Sequence, residues 1–457
     1  MRTYFLAGRM FSGLDLEVVE NQTIVVDDGR ITYLGSAEEG PKPRRRDKVV
    51  DHSNSFVMPG MIDLHVHLAY GNAKSAEDID LYASVEFRAL RGLFLAQNVL
   101  ASGFTSILDP GTSGRVSLAI RDAINANLFP GPRITACGPY ITSRQGVTDT
   151  YPTWIGVPET SIGRLARNKA EGIEEIRLQT KDGVDCIKLA LDGFITNEAG
   201  EPIAAYNEEE TLAMVTEAHR LGRRVVAHAR GSEAVRYAAR AGVELICHAS
   251  WIDDEGIELA LANGCALCPT LTYPYNIAEF TQPSEPAARR RRPEQSRQEL
   301  EIAYANLERA FRAGVPLTIG TDTGFATTPC GEWHARELAL LVEHVGLNPA
   351  EALRCATSVS AGLLRDGDMV GAIEAGRHAD FVVIDGDPVT DITVLLDPDR
   401  FNAVYLGGEL ASMERRGYDP RQVSEFSFGN WNEVYTRDRV AEITSTQRPA
   451  KRALRAV

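Results

Sequence analysis

Met61-Ile62-Asp63-Leu64-His65-Val66-His67 opens the part of the chain that sets its fold. The run is apolar at its start and carries two histidines two residues apart. Side chains alternate faces along a strand, so positions i and i+2 point the same way. His65 and His67 can therefore reach one point in space, which is a metal-binding geometry. A single strand histidine is more often a hydrogen-bonded core residue, so a metal site needs further ligands from other strands.

Seven further apolar runs predict strands at 105–110, 133–138, 185–191, 225–230, 245–250, 266–272 and 317–323, beside the first at 61–67. Helical patterns lie between most of them. The clearest runs from Asn207 to Leu221, where Asn207 can cap, Glu210 completes a capping box, and Leu212, Val215, Ala218 and Leu221 share a face. Eight strands alternating with helices predict a (β/α)8 barrel over 58–370, with catalytic groups at the C-terminal strand ends.

Those ends carry a consistent set of residues: His65 and His67 on the first strand, Lys188 on the fourth, His228 on the fifth, His248 on the sixth and Asp322 on the eighth. Neutral imidazole and carboxylate suit zinc and neighbouring divalent ions. Lysine is the odd member, because an ammonium repels a cation. Reaction with CO2 would turn Lys188 into an anionic carbamate able to bridge two ions.

Both flanks read as short strands. Asp28-Gly29 joins two apolar runs as a hairpin signal, and 379–386 and 403–408 repeat the strand pattern near the other end. A small β-domain built from 1–57 and 371–430 is expected, followed by a polar C-terminal tail, 431–457, with a basic end. Long connections at 141–163 and 278–298 are expected to act as lids or pocket walls. The run Arg289-Arg290-Arg291-Arg292 in the second reads as a solvated or subunit-contact surface.

The 457 residues carry a formal charge of −15 and are 44% hydrophobic. That acidic balance argues against nucleic acid or an anionic membrane as partner, and no apolar run approaches a membrane span of about 20 residues. Seven scattered cysteines fit free thiols in a reducing, cytoplasmic setting. The lone Cys265-Ala266-Leu267-Cys268 reads as core packing.

Val57 to His67, Ile187-Lys188, His228, His248, Gly320-Thr321-Asp322 and Gly371 to Val383 together resemble the amidohydrolase superfamily. The stretch from Asp322 to Glu337-Leu338 is most similar to its prolidase-like, imidazolonepropionase-related branch, which includes dipeptidases and hydrolases of herbicides, carbamates and mycotoxins. The resemblance implies a distorted barrel with a composite β-sandwich, and two divalent ions, zinc in the first instance. One would be held by His65, His67 and Asp322 and the other by His228 and His248, with carboxylated Lys188 and a hydroxide bridging. Asp322 would then carry the proton from the hydroxide to the leaving nitrogen. Relatives of this kind assemble, so a homo-oligomer is expected.

Three departures from the branch's peptidases bear on substrate. Arg230 stands where a tyrosine is common, Thr142-Ser143-Arg144-Gln145-Gly146-Val147 replaces a Gly-Gly-His-Gly-like segment, and Leu191-Asp192-Gly193-Phe194 replaces a glycine-rich turn. Arg230 is expected either to hold a substrate carbonyl or carboxylate, or to pair with Asp192 or Glu233. Tyr140, Trp154, Tyr273 and Phe325 are expected to form an aromatic pocket. The expected substrate is a small molecule with an amide, urea or carbamate C–N bond, of phenylurea- or carbamate-herbicide type. The alternatives are a prolidase-like dipeptidase, a one-metal enzyme with unmodified Lys188, and a non-enzymatic scaffold.

Overall fold

Residues 61–67 form the first stave of a ring of eight. In the computed structural model, which describes residues 1–36, 38–412, 414–419, 422 and 431–453 (backbone only from 446), Met61–Asp63 pairs in parallel with Phe104–Asp109, which pairs with Arg133–Ala136. A bridge between Cys137 and Cys186 passes the ring to Cys186–Ala190. Arg224–Ala229, Leu245–His248 and Ala266–Cys268 follow, each parallel to the last. Residues 317–323 close the ring. Leu267 N donates to Pro316 O at 2.9 Å, Leu64 N to Ile319 O at 2.8 Å, and Val66 bridges Thr323. The fold is an α/β barrel whose eight staves occupy the positions expected from the sequence.

Helices cover the outside. Glu208–Arg220 starts in the expected capping box of Asn207 and Glu210. Its buried face differs by a fraction of a turn from the expected one: Thr211, Met214, Val215 and Ala218 are buried, while Leu212 is exposed. The two long connections also differ from simple loops. Tyr140–Thr142 and Gly163–Leu165 pair in parallel and extend the sheet beside Cys186–Ala190. Residues 278–298 are largely helical, within Thr272–Phe280, Pro286–Arg289 and the start of Arg292–Ala313.

Strands from both ends of the chain build one seven-stranded sheet beside the barrel. Asp28 and Gly29, both at positive φ, turn Val18–Asp27 into Arg30–Ser36 as expected. Lys48–Pro59 pairs with Thr3–Phe11 on one side and Phe381–Ile384 on the other, so N- and C-terminal strands are neighbours. The edge strand Arg30–Ser36 is also tied to the segment leading into Phe381–Ile384, with Ile31 N donating to Arg377 O at 2.9 Å and Gly376 N to Ile31 O at 2.7 Å. Alternation then sorts its side chains. Val57, Phe381, Val383 and Tyr405 enter the sheet's own core, while Phe56, Met58, Val382 and Val404 join the barrel's.

The region after 430 is packed, in contrast to the expected polar tail. Trp431, Val434 and Tyr435 are buried against Ile277 and Ala326, and Tyr435 N donates to Ala326 O at 2.8 Å. A helix, Arg437–Ala453, follows. Residues 423–430 and 454–457, which include the end of the expected β-domain and part of the basic end, lie outside the described residues.

Asp380 ties the sheet to the barrel. Its carboxylate accepts from Arg133 Nε at 2.7 Å, Arg133 Nη2 at 3.1 Å and Gly407 N at 2.7 Å. The carboxylate is buried while the Arg133 side chain is 29% exposed, so its removal orphans the Gly407 N–H and leaves Arg133 partly solvated. Asp380→Ala should cost about 1–3 kcal/mol, seen as a lower thermal midpoint; an unchanged midpoint would mean that the two layers do not depend on this tie.

Candidate metal centre

The six expected polar groups converge inside the C-terminal mouth of the barrel. His67 Nε2 lies 3.2 Å from Asp322 Oδ1, and His65 Nε2 lies 3.6 Å from the same oxygen. The His65 and His67 rings are 4.9 Å apart, His65 and His248 5.2 Å, and His228 and His248 4.3 Å. Ligand atoms of His65, His248 and Asp322 fall within 4.8 Å of one another. Lys188 is 2% exposed, and its Nζ lies 3.3 Å from Cys247 Sγ.

The backbone is bent to bring these groups round. His248, Ala249, Thr270 and Asp322 have φ of 72°, 51°, 56° and 54°, all left-handed for residues with a Cβ. Such conformations persist only where surrounding contacts hold them, and they concentrate at functional sites. Gly320 is required on similar grounds, since a Cβ there would collide with Cys268 Sγ and the His65 side chain.

The donor set fits a cation. His65 Nδ1, His228 Nε2 and His248 Nε2 are buried with no hydrogen-bond partner. His228 Nε2 is 3.0 Å from Asp192 Oδ1 but out of line for a bond, and that oxygen is also unpartnered. Burial, aided by Lys188 at His65 and by His228 at His248, holds both of those imidazoles well below the usual histidine pKa. They are thus neutral, the form that binds metals.

The family model for amidohydrolases matches residues 56–411. The chain belongs to the amidohydrolase family. Ochratoxinase of Aspergillus niger is 28% identical over 431 residues, covering 89% of this chain and 86% of that protein. Imidazolonepropionase of Caldanaerobacter subterraneus subsp. tengcongensis is 23% identical over 395 residues, covering 81% of this chain and 85% of that protein. A solved Xaa-Pro dipeptidase with methionine in its active site matches with a TM-score of 0.78 and 27% identity, over 90% of this chain and 99% of that one. As an amidohydrolase, the protein is a hydrolase of carbon–nitrogen bonds.

In this amidohydrolase an aromatic wall stands on the His67 side. Tyr70 stacks on His67 with ring centres 4.1 Å apart and planes 1° from parallel, and Tyr140 lies 6.2 Å from His67. Phe325 joins Tyr70 at 5.1 Å and Tyr273 at 4.7 Å. Trp154 does not join them. It is 85% exposed, because residues between the paired strands Tyr140–Thr142 and Gly163–Leu165 turn outward at Pro152. Arg230 is paired, but with neither acid expected. Its guanidinium meets Glu299, and only its backbone N–H meets Asp192.

Three contributors are not evident from the sequence. Tyr70 sits in a short helical turn after His67. Glu299 reaches Arg230 from the long helix Arg292–Ala313. Asp63 and His334 form the third, a buried pair with His334 Nδ1 at 2.7 Å from Asp63 Oδ2. Asp63 also accepts from His65 N at 2.9 Å, Thr321 N at 3.2 Å and Thr321 Oγ1 at 2.5 Å. One carboxylate therefore fixes the first and eighth strands where their ligands emerge. A signal for Asp63 does exist, since it lies two residues before His65 and shares its face.

Asp63→Asn places an amide N–H against those donors. Metal affinity, measured by chelator competition, should fall about 10- to 100-fold; an unaltered affinity would assign Asp63 to folding alone.

Proposed function

We propose that this amidohydrolase uses two divalent ions, zinc in the first instance, to hydrolyse an amide, urea or carbamate bond of a small molecule. His65, His67 and Asp322 would hold one ion, His228 and His248 the other, with a carbamate on Lys188 shared between them. The observation that carries this reading is the set of buried, unpartnered imidazole nitrogens on His65, His228 and His248, in a mouth where His65, His248 and Asp322 offer ligand atoms within 4.8 Å of one another. A histidine kept for packing would have its nitrogens bonded.

Lys188 supports the two-ion form. A buried ammonium needs an anionic partner, and the nearest bonded group is the Cys247 sulfur. Carbamylation would replace that positive charge with an anion beside His65 and His248.

Bound ions would supply Lewis acidity at the scissile carbonyl and a lowered pKa for the attacking water. Asp322, beside both histidines of the first strand, takes the proton from that water and returns it to the leaving nitrogen. Burial pushes the Tyr273 hydroxyl up to about 12, and burial with Asp322 raises Tyr140, so both remain O–H donors at neutral pH. Together with Phe325 and Tyr70 they supply a partly aromatic pocket.

The ochratoxinase match favours a compact aromatic substrate of the xenobiotic kind. The Xaa-Pro dipeptidase match supports a second reading, a prolidase-like dipeptidase. A panel of aryl ureas, carbamates, anilides, N-acyl amino acids and Xaa-Pro dipeptides separates them. We place the enzyme in the cytoplasm as a homo-oligomer; all seven cysteines are unpaired, which supports a reducing compartment.

Asp322→Asn should lower turnover by at least about 10²–10⁴-fold while most of the metal stays, and near-normal activity would remove Asp322 from its role. Lys188→Ala should reduce metal from two ions per chain to one or none by elemental analysis. Two ions retained in that variant would sink the bridging carbamate.

A further inference from the structure

Arg230 stands two residues beyond His228, and its backbone is fixed on both sides. Its N–H donates to Asp192 Oδ2 at 2.6 Å, and its carbonyl accepts from Trp251 N at 2.9 Å. The guanidinium is clamped in turn. Nε donates to Glu299 Oε1 at 2.8 Å, Nη2 donates to Glu299 Oε2, and Ser250 Oγ donates to the same Oε1 at 2.8 Å. The Trp251 ring lies 5.7 Å from the guanidinium carbon. The Arg230 and Glu299 side chains are 24% and 16% exposed, so solvent screens the pair only in part.

A fork-to-fork pair of this kind occupies the edge of guanidinium that would grip a carboxylate, and it cancels the charge. Asp192 links the pair to the candidate metal centre, since its Oδ2 accepts from Arg230 N while its Oδ1 lies 3.0 Å from His228 Nε2, and Ser250, two residues beyond His248, holds Glu299. The Nη1 edge makes no hydrogen bond to the described residues. An uncharged carbonyl or hydroxyl can take that edge. A carboxylate arriving there would meet Glu299 and Asp192 without a net positive charge to offset them.

We propose that the Arg230–Glu299 pair sets the charge of the substrate: the pocket accepts an uncharged group beside Arg230 and discriminates against a carboxylate. This rests on the hydrolase reading above and narrows its substrates to neutral amides, ureas and carbamates, ahead of N-acyl amino acids and dipeptides. Glu299 is the positioning and neutralising residue, and Arg230 is the contact.

N-acetylphenylalaninamide and N-acetylphenylalanine form a matched pair of probes that differ by one charge. Their binding to the metal-loaded protein can be measured calorimetrically, apart from turnover, for the wild type, Glu299→Gln and the double variant Arg230→Gln/Glu299→Gln. Any pull of the bound metal on the carboxylate is common to all three and cancels when their amide-to-acid ratios are compared with one another. The wild type should bind the amide at least tenfold more tightly, about 1.4 kcal/mol. Glu299→Gln should close or invert that gap by uncovering the guanidinium charge, and the double variant should restore the preference for the amide. Equal binding of both probes by the wild type overturns the proposal, as does a ratio that Glu299→Gln leaves unmoved. A gap closed equally in the double variant also overturns it, because that would be a packing effect. Failure to hydrolyse any compound of the wider panel would sink the hydrolase reading instead, and the binding ratios would still decide the charge proposal.

Discussion

Three imidazole nitrogens, buried and left without a partner inside the protein, are the constraint on which the barrel's mouth depends. An unsatisfied buried polar atom costs about 1–3 kcal/mol, and the site holds three of them together with an unpaired Asp192 oxygen. Their neighbours do not relieve the cost; they hold the rings in place. Among the three, His248 has its Nδ1 2.6 Å from Thr270 Oγ1, and the adjoining His67 has its Nδ1 3.3 Å from Gly111 O, so in these two rings one nitrogen is engaged and the other faces the centre. That division is what a ligand imidazole needs, because the outer bond fixes the ring and the tautomer. The left-handed backbone at His248, Thr270 and Asp322 adds strain in the same place. Buried imidazole nitrogens left without a protein partner are the signature of a binding centre rather than a core.

Much of this was legible in the sequence because it follows from short-range periodicity. The two-residue spacing of His65 and His67 and the eight apolar runs each depend on only a few adjacent residues. So do the Asn207–Glu210 capping box and the Asp28-Gly29 turn. What was not legible depends on contacts across the fold. His334 meets Asp63 over 271 positions, and Glu299 meets Arg230 over 69. Proximity along the chain suggested Asp192 or Glu233 for Arg230, but Asp192 spends one oxygen on the Arg230 and Gly231 backbone and points the other at His228. Trp154 misled for the opposite reason. An aromatic side chain in a long mouth loop reads as a pocket wall, yet the pairing of Tyr140–Thr142 with Gly163–Leu165 draws the loop's ends inward and pushes its middle out.

The same division separates chemistry from selectivity. The candidate ligands stand on strands whose positions are fixed by ring closure, so their geometry tolerates little change. The walls come from elsewhere: Tyr70 from a turn, Phe325 from the segment after Asp322, Tyr273 and Glu299 from two different helices. These elements meet through aromatic contacts, and Glu299 reaches Arg230 through an ion pair, so the walls can change without moving a strand. Relatives that share the barrel at 27% identity can therefore keep one centre and differ in what they admit.

Tyr70 lies where the two meet. Its ring is stacked on the His67 imidazole on one side and edges onto Phe325 on the other. It is fully buried, and Arg91 Nη2 donates to its carbonyl at 3.3 Å, which ties the turn to the first long barrel helix, Val85–Ala101. A shift of the aromatic wall would thus press on His67, one of the two histidines nearest Asp322. Because the stacked ring has no room to slide without losing its parallel contact, the wall is held by the same packing that holds the ligand. The rigidity of the metal centre then extends one layer into the pocket, and adaptability is left to Tyr273 and Phe325, the half-buried members farther from the ligands.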